Sequence, residues 1–388
     1  MIRRILSDKL LSISKYLPVV AIIGPRQSGK TTLVKSVFKN YKYISLEDED
    51  NRNYAMQDPR GFLYDYCEHG GIIDEAQRVP KLFSYIQTNV DNNDKPGRII
   101  LTGSQNFLLM EKVSQTLAGR IGILNLFPFS LPEINFGKFK SNNPDKFIFN
   151  GFYPRLYDKT IKPEDWFPGY VQTYLERDLR QMLNVSDLSN FRIFVKLCSA
   201  RTGQILNLTS LGSDCGISHN TAKSWLSILE ISGLVFLLRP YYKNYNKRLT
   251  KMPKLYFHDT GLVCFLLGIK DVEQLRSHYL FGSIFETFII SEIFKHYYNI
   301  GIEPPCYYWR ENHGKEIDCL IDEGASLKIV EIKSGKTIND EYFNGLRYWS
   351  KLNQRIKHLS FIFYRGEEEQ KREYGTILSW KHIENALH

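Results

Sequence analysis

Eight residues constrain this chain more than any others: Gly24-Pro25-Arg26-Gln27-Ser28-Gly29-Lys30-Thr31. They fit the phosphate-binding pattern G-x-x-x-x-G-K-[ST] at every fixed position, a match that average residue usage produces by chance in about one chain in a hundred of this length. The preceding residues, Val19 to Ile23, are apolar and mostly β-branched and read as a buried strand. The following residues, Thr32 to Phe38, place Leu33, Val34 and Val37 on one side of a helix. A strand, a glycine turn and a helix N-terminus are the context the pattern needs. Backbone N–H groups and the helix dipole then face negative charge. Gly24, Pro25, Arg26, Gln27, Ser28, Gly29, Lys30, Thr31 and Thr32 are expected to cradle the phosphates of ATP. Lys30 would reach the β- and γ-phosphates, and Thr31 would hold Mg²⁺.

Phosphoryl transfer needs little more than positioning and charge stabilisation, so the next groups to seek are a metal carboxylate and a water-orienting acid. Gly71-Ile72-Ile73-Asp74-Glu75 is an apolar strand ending in two acids, with Asp74 44 positions after Lys30. Asp74 is assigned to the Mg²⁺ shell and Glu75 to the attacking water. Other strands are expected over Tyr41–Leu46, Arg98–Leu101 and Ile121–Phe127. Helices are expected from Pro59 to Cys67, from Pro80 with Leu82, Phe83, Ile86 and Val90 inward, and over Phe107–Leu117. Such alternation predicts a parallel sheet covered on both faces. After the fourth strand, Ser104 is the first choice to touch the γ-phosphate or the water and Gln105 the second; Ser104 also suits a helix N-cap.

These segments resemble a prokaryotic AAA+ ATPase family that carries a C-terminal domain of long-unassigned function. The matching pieces are GPRQSGKTTL, GIIDEAQ, LTGSQNFLL, LAGRI and LFPFSLPEI, at residues 24–33, 71–77, 101–109, 117–121 and 126–134. The resemblance implies that Arg120 is an arginine finger acting from a neighbouring subunit, and hence that the protein is a homo-oligomer. Read by itself, Arg120 is equally a cation at a helix C-terminus. The family's second sensor arginine has no evident counterpart here.

With 388 residues and 43% hydrophobic content, the chain can build two or three cores. The net charge of +9 is compatible with a polyanionic partner such as DNA. Six scattered cysteines form no C-x-x-C pair and no disulfide framework, so no zinc site is expected. Residues 1–17 read as an amphipathic surface helix, with Ile2, Ile5, Leu6, Ile13 and Leu17 interrupted by Arg3, Arg4, Asp8 and Lys9. No apolar run approaches a membrane span, and a reducing cytoplasm is the expected location.

The family resemblance continues through the turn Gly151-Phe152-Tyr153-Pro154-Arg155 and the helical run Tyr174-Leu175-Glu176-Arg177-Asp178, where Glu176 and Arg180 are spaced for a same-face pair. Residues 191–240 read helix, helix, turn, helix, strand, the order of a winged helix, with the turn at Gly216 and a hairpin starting at Val235. Lys223 lies at the start of its recognition helix. Between Arg239 and Lys254 stand six bases and no acid, interleaved with Tyr241, Tyr242 and Tyr245. Lys223, Lys243, Lys247, Arg248 and Lys251 are the expected DNA contacts. A solvated or domain-packing hairpin is the alternative.

After the motif His258-Asp259-Thr260-Gly261 and a helix from Ile284, strands are expected over Tyr307–Trp309, Glu316–Ile321 and Leu327–Ser334. An Asp on one strand and E-x-K on its hairpin partner, here Asp318 with Glu331 and Lys333, resemble the PD-(D/E)XK nuclease core. In that core the acids bind Mg²⁺ and the lysine positions water. Glu286 corresponds to the helical acid of that family. An ion pair of Glu331 with Lys333 or Lys315 is the alternative.

The expected fold is α/β, with a parallel-sheet P-loop AAA+ core, a helical and winged-helix middle region and a C-terminal α/β nuclease-like domain. The expected divisions are 1–135, 136–190, 191–254 and 255–388. The expected function is ATP hydrolysis coupled to action on DNA or a DNA-associated partner. An ATP-regulated nuclease and a non-catalytic scaffold are the alternatives.

Overall fold

The computed structural model describes residues 2–93, 95–103, 116–136, 139, 141–179, 188–242, 251–311, 314–354 and 356–387. The chain forms two compact units. The first takes residues 1–137 with the short pieces 231–233 and 297–302; the second takes 138–230, 234–296 and 303–388.

The first unit is built on five parallel strands: β1 (Val19–Ile23), β2 (Lys42–Ser45), β3 (Gly71–Asp74), β4 (Ile99–Gly103) and β5 (Ile121–Asn125). Their spatial order is β2-β3-β4-β1-β5. A strand with both faces covered must be apolar throughout, and every residue of β1 is buried. Val19, Ala21 and Ile23 enter one core and Val20 and Ile22 the other, as the two-residue period requires. The helices Pro59–Cys67 and Leu82–Asn92 supply the first core. Helices α1 (Leu6–Ile13) and α2 (Lys30–Val37) supply the second, through Leu6, Leu10, Leu33 and Val34. The amphipathic helix expected over residues 1–17 is shorter than that. Only residues 6–13 are helical, one face of that helix is fully buried, and Arg4 just before it is buried as well.

The second unit opens with helices and closes with strands. The helices Leu188–Ala200, Leu208–Asp214 and His219–Ile231 follow the expected order, and Gly216 makes the turn at φ 67°. Its strands are β6 (Gln204–Ile205), which lies between the first two of these helices, then β7 (Val235–Pro240), β8 (Lys254–Phe257), β9 (Cys306–Arg310), β10 (Glu316–Asp322), β11 (Leu327–Lys333), β12 (His358–Tyr364), β13 (Gln370–Arg372) and β14 (Gly375–Ser379). They form one mixed sheet in the order β13-β14-β12-β11-β10-β9-β7-β8-β6. The hairpin strands β7 and β8 therefore continue the C-terminal sheet, because Arg239 and Pro240 pair in parallel with Tyr307 and Tyr308. The helix Asn344–Leu352 covers one face, with Leu346 and Trp349 packed on Ile317, Leu320, Ile329 and Ile362.

Candidate functional site

Parallel strands present their C-terminal ends along one sheet edge, and the residues expected to bind nucleotide gather there. The loop leaving β1 is shaped by two glycines. Gly24 has φ 148°, and a Cβ on it would lie 2.1 Å from the Leu126 carbonyl oxygen. Gly29, at φ 94°, takes the left-handed turn that opens α2. Lys30 is buried, and its Nζ donates to the carbonyls of Gly24 and Pro25, each at 2.9 Å. Burial holds its pKa down at about 8, against the neighbouring charges of Glu75 and Asp74, which pull it upward.

Two strands away in the sheet, β3 delivers Asp74. Thr31 Oγ1 donates to Asp74 Oδ2 at 2.9 Å, so the two residues assigned to Mg²⁺ meet. Two further hydroxyls converge on the same carboxylate. Tyr43 Oη from β2 donates to Oδ2 at 2.7 Å, and Thr102 Oγ1 from β4 donates to Oδ1. Burial and the Asp74 hydrogen bond push the Tyr43 phenol well up, which keeps it a donor. The register Ile73↔Leu101 explains Thr102, since it sets Asp74 beside Thr102 on the adjacent strand. Glu75 follows in the left-handed region, φ 55° and ψ 43°, and its carboxylate accepts from Gln77 Nε2. Among the described residues only three non-glycines have positive φ, and two of them, Gln27 and Glu75, lie in this site. Such strain of about 1–3 kcal/mol per residue persists where surrounding structure enforces it, often at sites of function.

Arg120 is not brought to this site. It immediately precedes β5, whose first residue pairs with Val19 at the far end of β1 from Lys30. Its side chain is 38% exposed, and its guanidinium bonds Asp91. Ser104 and Gln105 lie outside the described residues, as do Lys243, Lys247, Arg248 and Arg180. Lys223 and Lys251 are exposed. Lys254 is not an exposed member of the basic run: it is 3% exposed and turned into the sheet. Tyr241 is packed too, its ring against Tyr307 and Trp349.

The second unit gathers the other predicted constellation. In the β10–β11 hairpin Cys319 pairs with Val330, which sets Asp318 opposite Glu331. Asp318 Oδ2 accepts from the Ile332 N–H at 2.7 Å, and Lys333 Nζ donates to Glu331 Oε2 at 2.9 Å. Glu286 joins from the helix Phe281–Asn299, held by Lys254 Nζ at 3.0 Å and by Tyr256 Oη. Lys254 also pairs with Glu316. Burial, then the nearby Asp318, raises Glu331 to about 8 and Glu286 to about 7. Gly345 makes room for the cluster, since a Cβ there would meet Glu331 Oε1 at 2.1 Å. Lys254 beside Glu286 and Lys333 beside Glu331 pull the two pKa values in the opposite direction. Among the described residues, no three His, Cys, Asp or Glu side chains are arranged to hold a metal ion.

Sequence reasoning missed Tyr43, Thr102, Lys254, Tyr256 and Gly345. The polar residue ending β4 and the buried-strand phase of Lys254 were the available signals. Among the described residues no helix is long and apolar enough to cross a membrane.

Three family models match the chain: an AAA domain over residues 17–135, and two domains of unknown function, DUF8612 over 142–273 and DUF4143 over 281–383. The first unit is thus an AAA-type ATPase domain. The chain is 30% identical over 325 residues to the uncharacterized proteins Rv2008c of Mycobacterium tuberculosis and Mb2031c of Mycobacterium bovis. Those alignments cover 82% of this chain and 71% of each relative. Among solved structures it is similar to the Walker-type ATPase PABY2304 of Pyrococcus abyssi, at 15% identity and a TM-score of 0.45, covering 67% of this chain and 94% of that one.

Proposed function

The chain belongs to the family of the mycobacterial proteins Rv2008c and Mb2031c, and we propose that it binds ATP with Mg²⁺ and hydrolyses it to drive action on DNA or a DNA-associated partner. The observation that carries the reading is the meeting of Thr31 and Asp74 at 2.9 Å beside Lys30. Both supply hard oxygen donors, a set that suits Mg²⁺. When bound, the ion would neutralise charge on the phosphates. Lys30 exchanges the Gly24 and Pro25 carbonyls for the β- and γ-phosphates. Tyr43 and Thr102 fix the Asp74 carboxylate by hydrogen bonds. Glu75 orients the attacking water, and its held backbone keeps the carboxylate aimed before substrate arrives.

The test is nucleotide binding and hydrolysis by purified protein. Lys30→Ala is expected to lose hydrolysis, and Glu75→Gln to bind ATP but lose turnover by at least about a hundredfold. Wild-type rates in both variants would refute the assignment. The net charge of +9 and the exposed Lys223 and Lys251 support DNA as partner. Stimulation by DNA that fades as salt rises is the expected sign, and a rate indifferent to DNA at low salt would remove DNA from the proposal.

A second reading is favoured by the convergence of Asp318, Glu331, Lys333 and Glu286: metal-dependent cleavage of DNA by the second unit. A cation would have to displace the ammonium groups of Lys254 and Lys333 from their carboxylates.

A further inference from the structure

The phosphate loop has a rear face, and one buried charge occupies it. Arg4, outside the loop motif and just before α1, is 7% exposed. Its guanidinium donates in three directions. Nη1 reaches the Ser28 carbonyl at 2.7 Å, Nη2 the Phe127 carbonyl at 2.7 Å, and Nε the Glu133 Oε1 at 3.0 Å. Glu133 is fully buried and pinned in turn: Oε1 accepts from the Ile5 N–H at 2.8 Å and Oε2 from the Ser130 N–H at 2.9 Å. The Phe129 ring lies 4.9 Å from the guanidinium carbon. A buried arginine and glutamate, each with several hydrogen bonds, form a rigid assembly, because any displacement leaves a desolvated charge unpaired.

The contact with Ser28 has a directional consequence. In a trans peptide the C=O of one residue and the N–H of the next point opposite ways. Drawing the Ser28 carbonyl to the rear therefore turns the Gly29 N–H to the front, the side on which the loop motif places phosphate. Gly29 is the residue best able to rotate otherwise, because its left-handed conformation costs it nothing. We propose that Arg4, held by Glu133, is a positioning residue of the nucleotide site: it locks the Ser28–Gly29 peptide with its N–H presented to the phosphates. This inference rests on the ATP-binding reading above. It makes the segment before α1 part of the site without touching the nucleotide.

The test compares the full-length wild type, Arg4→Lys, the double variant Arg4→Met with Glu133→Gln, and Lys30→Ala. The double variant removes both charges together, so no lone buried ion is left to unfold the domain. Each is measured for thermal melting, for ATP and ADP affinity, and for KM and kcat separately. The double variant is expected to fold, to bind ATP and ADP about tenfold or more weakly, and to show the loss chiefly in KM. Arg4→Lys keeps the charge but not the three-way fork, so partial loss is expected. ATP and ADP affinities within twofold of wild type in a folded double variant would overturn the inference. So would a lowered melting temperature with unchanged affinity per folded molecule, the mark of a purely structural role. If wild type binds no ATP, or Lys30→Ala binds as well as wild type, the ATP-binding reading itself fails, an outcome distinct from these two.

Discussion

Lys30 shows how a single residue ties burial to function. Its ammonium donates to two carbonyls in a buried loop, and that burial lowers its pKa from the ordinary 10.5 to about 8. For a base whose folded pKa is depressed, the unfolded chain holds more protons between pH 8 and 10.5, so that group's contribution to stability rises with pH in that window. Nucleotide binding has the opposite sign. Phosphates favour the charged lysine, so above pH 8 binding must take up a proton. ATP affinity is expected to be flat from pH 6.5 to 7.5 and to weaken toward about tenfold per unit above pH 8. Titration calorimetry across this range checks it: a flat affinity up to pH 9.5 would show that Lys30 does not face the phosphates. The Lys30→Ala variant should lack the bend altogether.

At the level of elements, the β10–β11 hairpin and β8 carry the second unit's chemistry together. The hairpin sets Asp318 opposite Glu331, while β8 brings Lys254 and Tyr256 to Glu286. These three acids face the ammonium groups of Lys254 and Lys333, and a cation could enter only by displacing those lysines. If the cleavage reading holds, Mn²⁺ or Mg²⁺ titrated onto wild type with supercoiled DNA should give nicks or breaks. Asp318→Ala and Lys333→Ala should abolish them, each by at least about a hundredfold. Equal cleavage in all three proteins would mark a contaminant, and none in wild type with or without ATP would leave the cluster a structural ion-pair network.

For the whole molecule, the place of Arg120 bears on how many chains make one active site. Arg120 stands at the far end of β1 from Lys30 and is bonded to its own Asp91, so within one chain it has no path to the γ-phosphate. The family resemblance assigns it to a neighbour's nucleotide. On that assignment, activity per chain should rise with protein concentration. Mixing Arg120→Ala with Lys30→Ala should restore part of the activity that each lacks, because each supplies what the other is missing. A rate per chain that stays flat down to monomeric concentration, with no recovery on mixing, would dismiss the finger and leave Arg120 as a surface cation.

Local rules made much of this protein legible in its sequence. The run Val19–Ile23, the glycines at 24 and 29 and the pair Asp74-Glu75 define the strand ends and the loop, because a phosphate cradle needs that order of conformations along the chain. The short turn after Asp322 and the two-residue period of strands likewise foretold that Asp318 would face Glu331. What the tertiary structure alone decided is which distant groups meet. Arg4 finds Glu133 across 129 positions, Tyr43 finds Asp74 across 31, and Lys254 finds Glu286 across 32. Periodicity tells which face a residue takes, not which partner waits there. A basic side chain such as Arg4 or Lys254 reads as a surface residue until the fold supplies the carboxylates that make its burial possible.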